Sequence, residues 1–286
     1  VLPLAAWLRR NRPDVLISTL LHVNAAAVIS GRLIGGRVPI IVRETNNHTA
    51  AGRPHGSPSW ALVRWSYRRA DAVVALSHGV AADIAARYGI RRERIRTIYN
   101  PIDIDSIKQA ARRSVDPLPG WSDGASGFRI IGVGRLVPQK GFDLLLEALS
   151  MLGSQEDWTL AILGSGPEES RLRALACDLG LDGRVFFAGH VANPYPYIAQ
   201  ADLFVLSSRW EGFGHVIAEA MVCGTPVVAT RCPSGPDEIV EDDVSGRLCE
   251  PGSSDALAAA IGEVLADSAR RQRYVEAAGR RVARFE

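Results

Sequence analysis

Glu211-Gly212-Phe213-Gly214-His215-Val216-Ile217-Ala218-Glu219 follows the apolar run Leu203–Leu206 and leads through Gly224-Thr225-Pro226 into Val227-Val228-Ala229. The pattern reads as strand, loop, helix over His215–Val222, Gly224 as helix stop, then strand over Val227–Ala229. In a parallel α/β sheet this order puts Glu211 and the amides of Gly212, Phe213 and Gly214 at the carboxyl edge, where ligands bind. Unpaired N–H groups at a helix start attract anions, so a phosphate is expected there. Glu219, one to two turns further on, faces groups carried by the same ligand. The plain alternative is an ordinary βαβ unit with two solvated glutamates.

Working outward, strand and helix patterns alternate along the whole chain. In the first half, strands are expected over 15–18, 38–43, 72–75 and 95–98. Helices are expected over 4–10, 24–33, 59–69 and 80–88, with Gly35-Gly36, Gly56 and Gly89 between them. A polar, proline-bearing stretch ending Asp116-Pro117-Leu118-Pro119-Gly120 reads as a linker. Beyond it, strands are expected over 129–133, 159–163, 185–188, 203–206 and 227–229. Helices fall over 141–151, 167–179, 255–265 and 270–283. The expected organisation is a Rossmann-like domain over 1–103, a linker over 104–122 and a second Rossmann-like domain over 123–286, with ligand in a cleft between them.

The second chemical feature is Gly132-Val133-Gly134-Arg135-Leu136-Val137-Pro138-Gln139-Lys140-Gly141. A strand ends in a glycine-containing turn that carries two cations and then opens a helix. Arg supplies a planar fork for phosphate oxygens and Lys a compact charge. Facing the Glu211 turn, the pair would clamp a diphosphate without a metal. Gly164-Ser165-Gly166-Pro167 closes another strand, and Gly189-His190-Val191 offers backbone groups to a flat ring. Ser234-Gly235-Pro236-Asp237-Glu238 forms a further N–H-rich turn. In the first half, His22, Glu44, Asn46, Asn47 and His48 follow strand ends; His22 or His48 could act on an acceptor hydroxyl as base or orient it, while each alone reads first as a surface or satisfied histidine. His55 and His78 read as loop residues.

At 286 residues and 47% hydrophobic content the chain can bury two cores. No apolar run reaches the roughly 18 residues of a membrane span, and no basic-then-apolar leader opens the sequence. Cys177, Cys223, Cys232 and Cys249 show no metal spacing, so a reduced cytoplasmic protein without structural zinc is expected. The net charge of +2 hides an asymmetry. Residues 1–103 carry 15 Arg against 6 acids, and residues 104–286 carry 18 Lys and Arg against 25 acids. A basic first half suits an anionic partner, either a phosphate-bearing acceptor or the anionic inner face of a membrane. No nucleic-acid partner is expected.

Three segments, 134–143, 211–226 and Cys232-Pro233-Ser234-Gly235-Pro236, closely resemble glycosyltransferase family 4, retaining enzymes of the GT-B fold. The resemblance covers nearly all of the second half. In the first half it rests on Arg12-Pro13-Asp14-Val15-Leu16-Ile17-Ser18, on 71–77 and on Tyr99-Asn100-Pro101-Ile102-Asp103. It implies that Arg135 and Lys140 hold the donor diphosphate and that Glu219 bonds the ribose hydroxyls. Glu211, with the amides of Phe213 and Gly214, would hold the donor sugar. His190 and Val191 would border the base, with Gly134, Gly164 and Gly212 completing the donor site. His22, Glu44, Asn46 and His48 fall on the acceptor side, with Glu44-Thr45-Asn46 where some members carry a histidine. The family's opening strand and Gly-rich loop, and its closing crossover helix, are not matched, so an incomplete N-terminal domain is expected.

The implied reaction is transfer of a hexosyl or N-acetylhexosaminyl group from a nucleoside diphosphate sugar, UDP-sugar favoured, to a glycan or lipid-linked acceptor in envelope polysaccharide synthesis. Retention of anomeric configuration and metal-independent, cofactor-free turnover are expected, since no Asp-x-Asp pair stands at a strand end. Two other readings remain open at this stage: a UDP-sugar 2-epimerase of the same fold, and a non-catalytic sugar-nucleotide-binding module.

Overall fold

The computed structural model describes residues 1–52, 58–119, 121, 127–152 and 157–286. The chain divides into two compact units, Val1–Asn100 with Pro233–Gly235, and Pro101–Cys232 with Pro236–Glu286. His55, Gly56 and Gly120 lie outside the described residues.

The first unit is a four-stranded parallel sheet of β1 (Leu16–Thr19), β2 (Ile40–Glu44), β3 (Ala72–Ala75) and β4 (Ile95–Thr97), in that spatial order. Its helices are α1 (Leu2–Asn11), α2 (Leu21–Leu33), α3 (Pro58–Arg69) and α4 (His78–Tyr88). Ile40, Val42, Val73 and Ala75 from the strands pack with Val28, Tyr67, Ile84 and Tyr88 from the helices into one core. The short apolar runs that read as buried strands are thus covered by helices, as a parallel sheet requires. Ser77 caps α4 by accepting from Val80 N–H, a contact worth about 1 kcal/mol.

The second unit is a six-stranded parallel sheet built from β5 (Phe128–Val133), β6 (Trp158–Leu163), β7 (Val185–Gly189), β8 (Leu203–Leu206), β9 (Val227–Thr230) and β10 (Arg247–Cys249). Its spatial order is β10-β9-β8-β5-β6-β7. Helices α5 (Ile104–Ala111), α6 (Phe142–Met151), α7 (Glu169–Asp178), α8 (Tyr195–Gln200), α9 (His215–Val222), α10 (Pro236–Ile239), α11 (Ser254–Ala266) and α12 (Ser268–Val282) complete it. Trp158, Leu160, Ile162, Leu203 and Val228 form the core with Leu145 and Leu149 of α6 and Ile261 and Val264 of α11.

Both units use one device to fix strand register. The backbone N–H of Ile40 donates to the Asp71 carboxylate at 2.8 Å, and that of Arg129 donates to Asp202 at the same distance. Each aspartate stands immediately before a strand, β3 or β8, and accepts from the start of the neighbouring strand.

The linker expected over 104–122 is corrected at its start. Asp103 accepts from Ser106 N–H at 2.9 Å and caps α5, whose Ile104 and Ile107 are buried against α8 and α9. The polar character of the stretch masked an amphipathic helix, and the second unit begins at Pro101.

Candidate functional site

The second sheet has a topological switch point. The chain runs from central β5 outward through β6 and β7, then returns to place β8 on the other side of β5. Loops leaving the carboxyl ends of β5 and β8 therefore depart in opposite directions, and a crevice forms between them. The two chemical motifs of the sequence are these loops.

After β5 the backbone is packed so closely that glycine is demanded. Gly134 N–H donates to Leu163 C=O at 3.0 Å. Gly164 adopts φ 145°, and any Cβ there would overlap the Gly134 carbonyl. A 3₁₀ turn over Pro138–Lys140 then folds the loop back. Lys140 Nζ lies 2.6 Å from Glu211 Oε1, and Ser208 Oγ donates to the same oxygen at 2.7 Å. Gln139 Nε2 donates to Trp210 C=O at 2.9 Å, and Arg209 makes a forked ion pair with Asp143 at 2.8 and 2.9 Å. Burial raises the Asp143 carboxyl, but the Arg209 fork outweighs it and holds the group below its ordinary value. Arg135, in contrast, is exposed, and among the described residues it makes no ion pair or side-chain hydrogen bond.

After β8, residues Glu211 to Gly214 are buried, and Gly214 at φ 87° turns the chain into α9. No side chain caps α9, which leaves its first N–H groups for an anion. The Phe213 ring packs edge-on against Phe285, so this residue offers only its backbone to a ligand. Glu219 faces a cavity of about 530 Å³ together with Tyr195, His215 and Ser106. Burial raises the Glu219 carboxyl, against the lowering influence of His215 and of the Tyr195 hydroxyl, which donates to Oε1 at 3.4 Å. A separate cavity of about 250 Å³ is lined by Gly134, Arg135, Gly164, His190 and Val191. The donor-side residues expected from the sequence thus gather around one sheet edge. Tyr195 and Ser208 were not anticipated. Ser208 stands three residues before Glu211, a visible signal; Tyr195, on a six-residue helix, carried none.

In the first unit the expected acceptor-side residues separate. His22 is exposed at the start of α2, and Asn46 is half-buried after β2. Glu44 and His48 are enclosed, at 2% and 1% exposure. His48 Nε2 lies 2.9 Å from Glu44 Oε2, Tyr67 OH donates to that oxygen at 2.6 Å, and Thr45 N–H donates to Oε1 at 3.0 Å. Tyr67 OH in turn accepts from Asn24 Nδ2 at 2.8 Å, and Asn24 Oδ1 accepts from Ser18 Oγ. Burial raises the Glu44 carboxyl, but the His48 ring and these donors outweigh it and hold the group below 4.5. As placed, neither Glu44 nor His48 reaches a surface hydroxyl; the pair holds the 44–48 turn from inside. Asn47 Nδ2 donates to Ser234 Oγ at 2.9 Å, so the Ser234 turn, expected to offer N–H groups to a ligand, is here packed against this loop.

Residues 125–281 match the family described as Glycosyl transferases group 1, and residues 1–106 match Glycosyltransferase Family 4. The lipopolysaccharide core biosynthesis glycosyltransferase LpsE of Rhizobium meliloti is 36% identical over 75% of this chain and 60% of its own length. A Campylobacter jejuni enzyme, N-acetylgalactosamine-N,N'-diacetylbacillosaminyl-diphospho-undecaprenol 4-alpha-N-acetylgalactosaminyltransferase, is 28% identical over 90% of this chain and 69% of its length. The chain thus spans about three-fifths of the length of LpsE. The crystal structure of Anabaena Alr3699/HepE in complex with UDP matches with a TM-score of 0.85 and 27% identity, covering 99% of this chain and 78% of that one. With two Rossmann-like parallel-sheet units of the GT-B kind and a family match over more than half its length, the chain belongs to the group 1 glycosyl transferases, within a family 4-like lineage.

Proposed function

We propose that this protein is a retaining hexosyltransferase that moves a hexosyl or N-acetylhexosaminyl group from a UDP-sugar to a glycan or lipid-linked acceptor in envelope polysaccharide synthesis. The observation that carries the reading is the switch point between β5 and β8, where the loop bearing Arg135 and Lys140 meets the loop bearing Glu211 through the Lys140–Glu211 pair, ahead of the uncapped start of α9. HepE structures with UDP and with UDP-glucose support the donor class, and the lipopolysaccharide and undecaprenol-linked names of the relatives support the acceptor class.

In this reading the diphosphate lies against Arg135, Lys140 and the first N–H groups of α9. As the anomeric carbon–oxygen bond breaks, the electron pair leaves with the diphosphate, and the fixed cations and amides stabilise the growing charge. The acceptor hydroxyl forms its new bond from the leaving-group face, and its proton passes to a departing phosphate oxygen. These cations belong to the chain, so turnover is expected without added metal. Glu211 orients sugar hydroxyls through Oε2, since both of its donors among the described residues converge on Oε1. Glu219 takes the ribose hydroxyls, and His190 and Val191 border the base. Asn46 and His22 are the acceptor-side groups left accessible. The Arg-rich first half favours a phosphate-bearing acceptor presented at the cytoplasmic face of a membrane. Among the described residues, no helix is long and apolar enough to cross one.

Calorimetric titration with UDP, GDP and ADP in the presence of a chelator tests the reading. The expected result is micromolar binding of UDP, weakened at least about tenfold, or 1.4 kcal/mol, by Arg135→Ala and by Glu219→Ala. A folded chain that binds none of the three would refute it.

A further inference from the structure

In the donor reading above, the diphosphate lies beside the Lys140–Glu211 ion pair. Its members are 18% and 8% exposed, and the Lys140 stem lies over Gly134, where a Cβ would stand 3.3 Å from Lys140 Cε. The ammonium is therefore held in the turn after β5, with Glu211 as its one ion-pair partner among the described residues. A buried carboxylate needs that cation, because an unpaired charge in such a place is costly. A diphosphate at Arg135 and the α9 start brings further negative charge to the same spot, and it competes for the same ammonium.

Resting on the donor reading above, we propose that the Lys140–Glu211 pair is an internal substitute for the donor diphosphate, which the nucleotide takes apart on binding. The diphosphate claims Lys140, and Glu211 Oε1, keeping only Ser208, becomes an acceptor for sugar hydroxyls. Sugar recognition by Glu211 is then strengthened once a diphosphate is seated, because Oε1 joins Oε2 as an acceptor.

A thermodynamic cycle with UDP as probe separates this exchange from plain charge repulsion. If Lys140 is exchanged, Glu211→Gln releases it and tightens UDP binding about fivefold, the equivalent of a 1 kcal/mol ion pair. That gain disappears when Lys140→Met is already present, because no ammonium remains to be released. If Glu211 merely repels the nucleotide, the gain is larger in the Lys140→Met background, where the carboxylate is uncompensated. Calorimetry on the whole chain, with thermal unfolding of each variant alongside, reads the four affinities. A Glu211→Gln chain that binds UDP no tighter than wild type, or a gain undiminished by Lys140→Met, overturns the proposal. Lack of UDP binding by the wild-type chain overturns the donor reading itself.

The wild-type chain supplies a second readout. It contains two lysines, Lys108 and Lys140. NMR of isotope-labelled lysine side chains therefore shows two resonance sets, assigned by Lys140→Met. Saturating UDP is expected to shift the Lys140 set and leave that of Lys108 in place, and an unmoved Lys140 set contradicts the exchange.

Discussion

Replacing Tyr67 by phenylalanine deletes one oxygen atom from the interior of the first unit, and the structure allows the cost to be worked out. The ring stays packed, tilted against Tyr88 with centroids 4.7 Å apart, so no cavity larger than a hydroxyl forms. Glu44 loses a charge-assisted bond of 2.6 Å, a kind worth about 1.5–3 kcal/mol. Asn24 Nδ2 loses an acceptor at 2.8 Å but keeps the Arg43 carbonyl at 3.0 Å, so one N–H is orphaned at about 1 kcal/mol. The sum is about 3 kcal/mol. Hydrogen exchange of peptides covering β2 and α2 is the suitable assay, because it reports this unit by itself; exchange should accelerate about a hundredfold or more. The pH dependence sharpens the test. Glu44 in the folded chain lies below its ordinary 4.5, so its contribution is fully present above that value. It is lost as pH falls through the lowered value, where the gap between wild type and Tyr67→Phe should narrow to the roughly 1 kcal/mol of the Asn24 N–H. A loss below about 1 kcal/mol at neutral pH, or a gap that does not narrow in acid, would refute the network.

Two further outcomes follow from the second unit. Gly164→Ala forces a side chain onto φ 145° and into the Gly134 carbonyl, so peptides of β5 and β6 should lose at least about 3 kcal/mol of protection. Gly180→Ala, at φ 68° with nothing within 4 Å, should cost about 1 kcal/mol, and equal effects would contradict the close approach. Burial raises Glu219 above 4.5, so a fully ionised ribose acceptor exists only above that raised value. UDP affinity should therefore fall as pH drops through an interval above 4.5, measured by titration at stepped pH. Glu219→Gln should remove that component, leaving only the nucleotide's own ionisation, and parallel pH profiles would count against Glu219.

Apart from β4 (Ile95-Arg96-Thr97), the strands from β1 to β9 were legible because each is a short, largely apolar run with glycine, proline or an acid close by, and none needed distant partners to be seen. β10 escaped because three residues, Arg247–Cys249, carry too little pattern, and six-residue α8 escaped for the same reason. α5 was legible in principle: Asp103 caps it, and Ile104 and Ile107 share one face. The prolines at 117 and 119 drew attention from it. At the site, the sequence showed which residues flank the strand ends but not which of them face inward. Glu44 and His48 sit at the end of β2 as expected, yet Tyr67 of α3 enfolds them and Asp83 of α4 accepts from His48 N–H at 2.9 Å. The Lys140–Glu211 contact spans 71 residues of sequence and exists because β8 returns beside β5. That return is a property of topology, which local pattern does not contain.

The measurement that tests the central claim most directly is a crystal structure of this chain with UDP. The account predicts the diphosphate at the carboxyl ends of β5 and β8, within hydrogen-bond reach of the Arg135 guanidinium and the first N–H groups of α9, with the ribose at Glu219. UDP seated elsewhere, with Arg135 and the α9 start untouched, would contradict it.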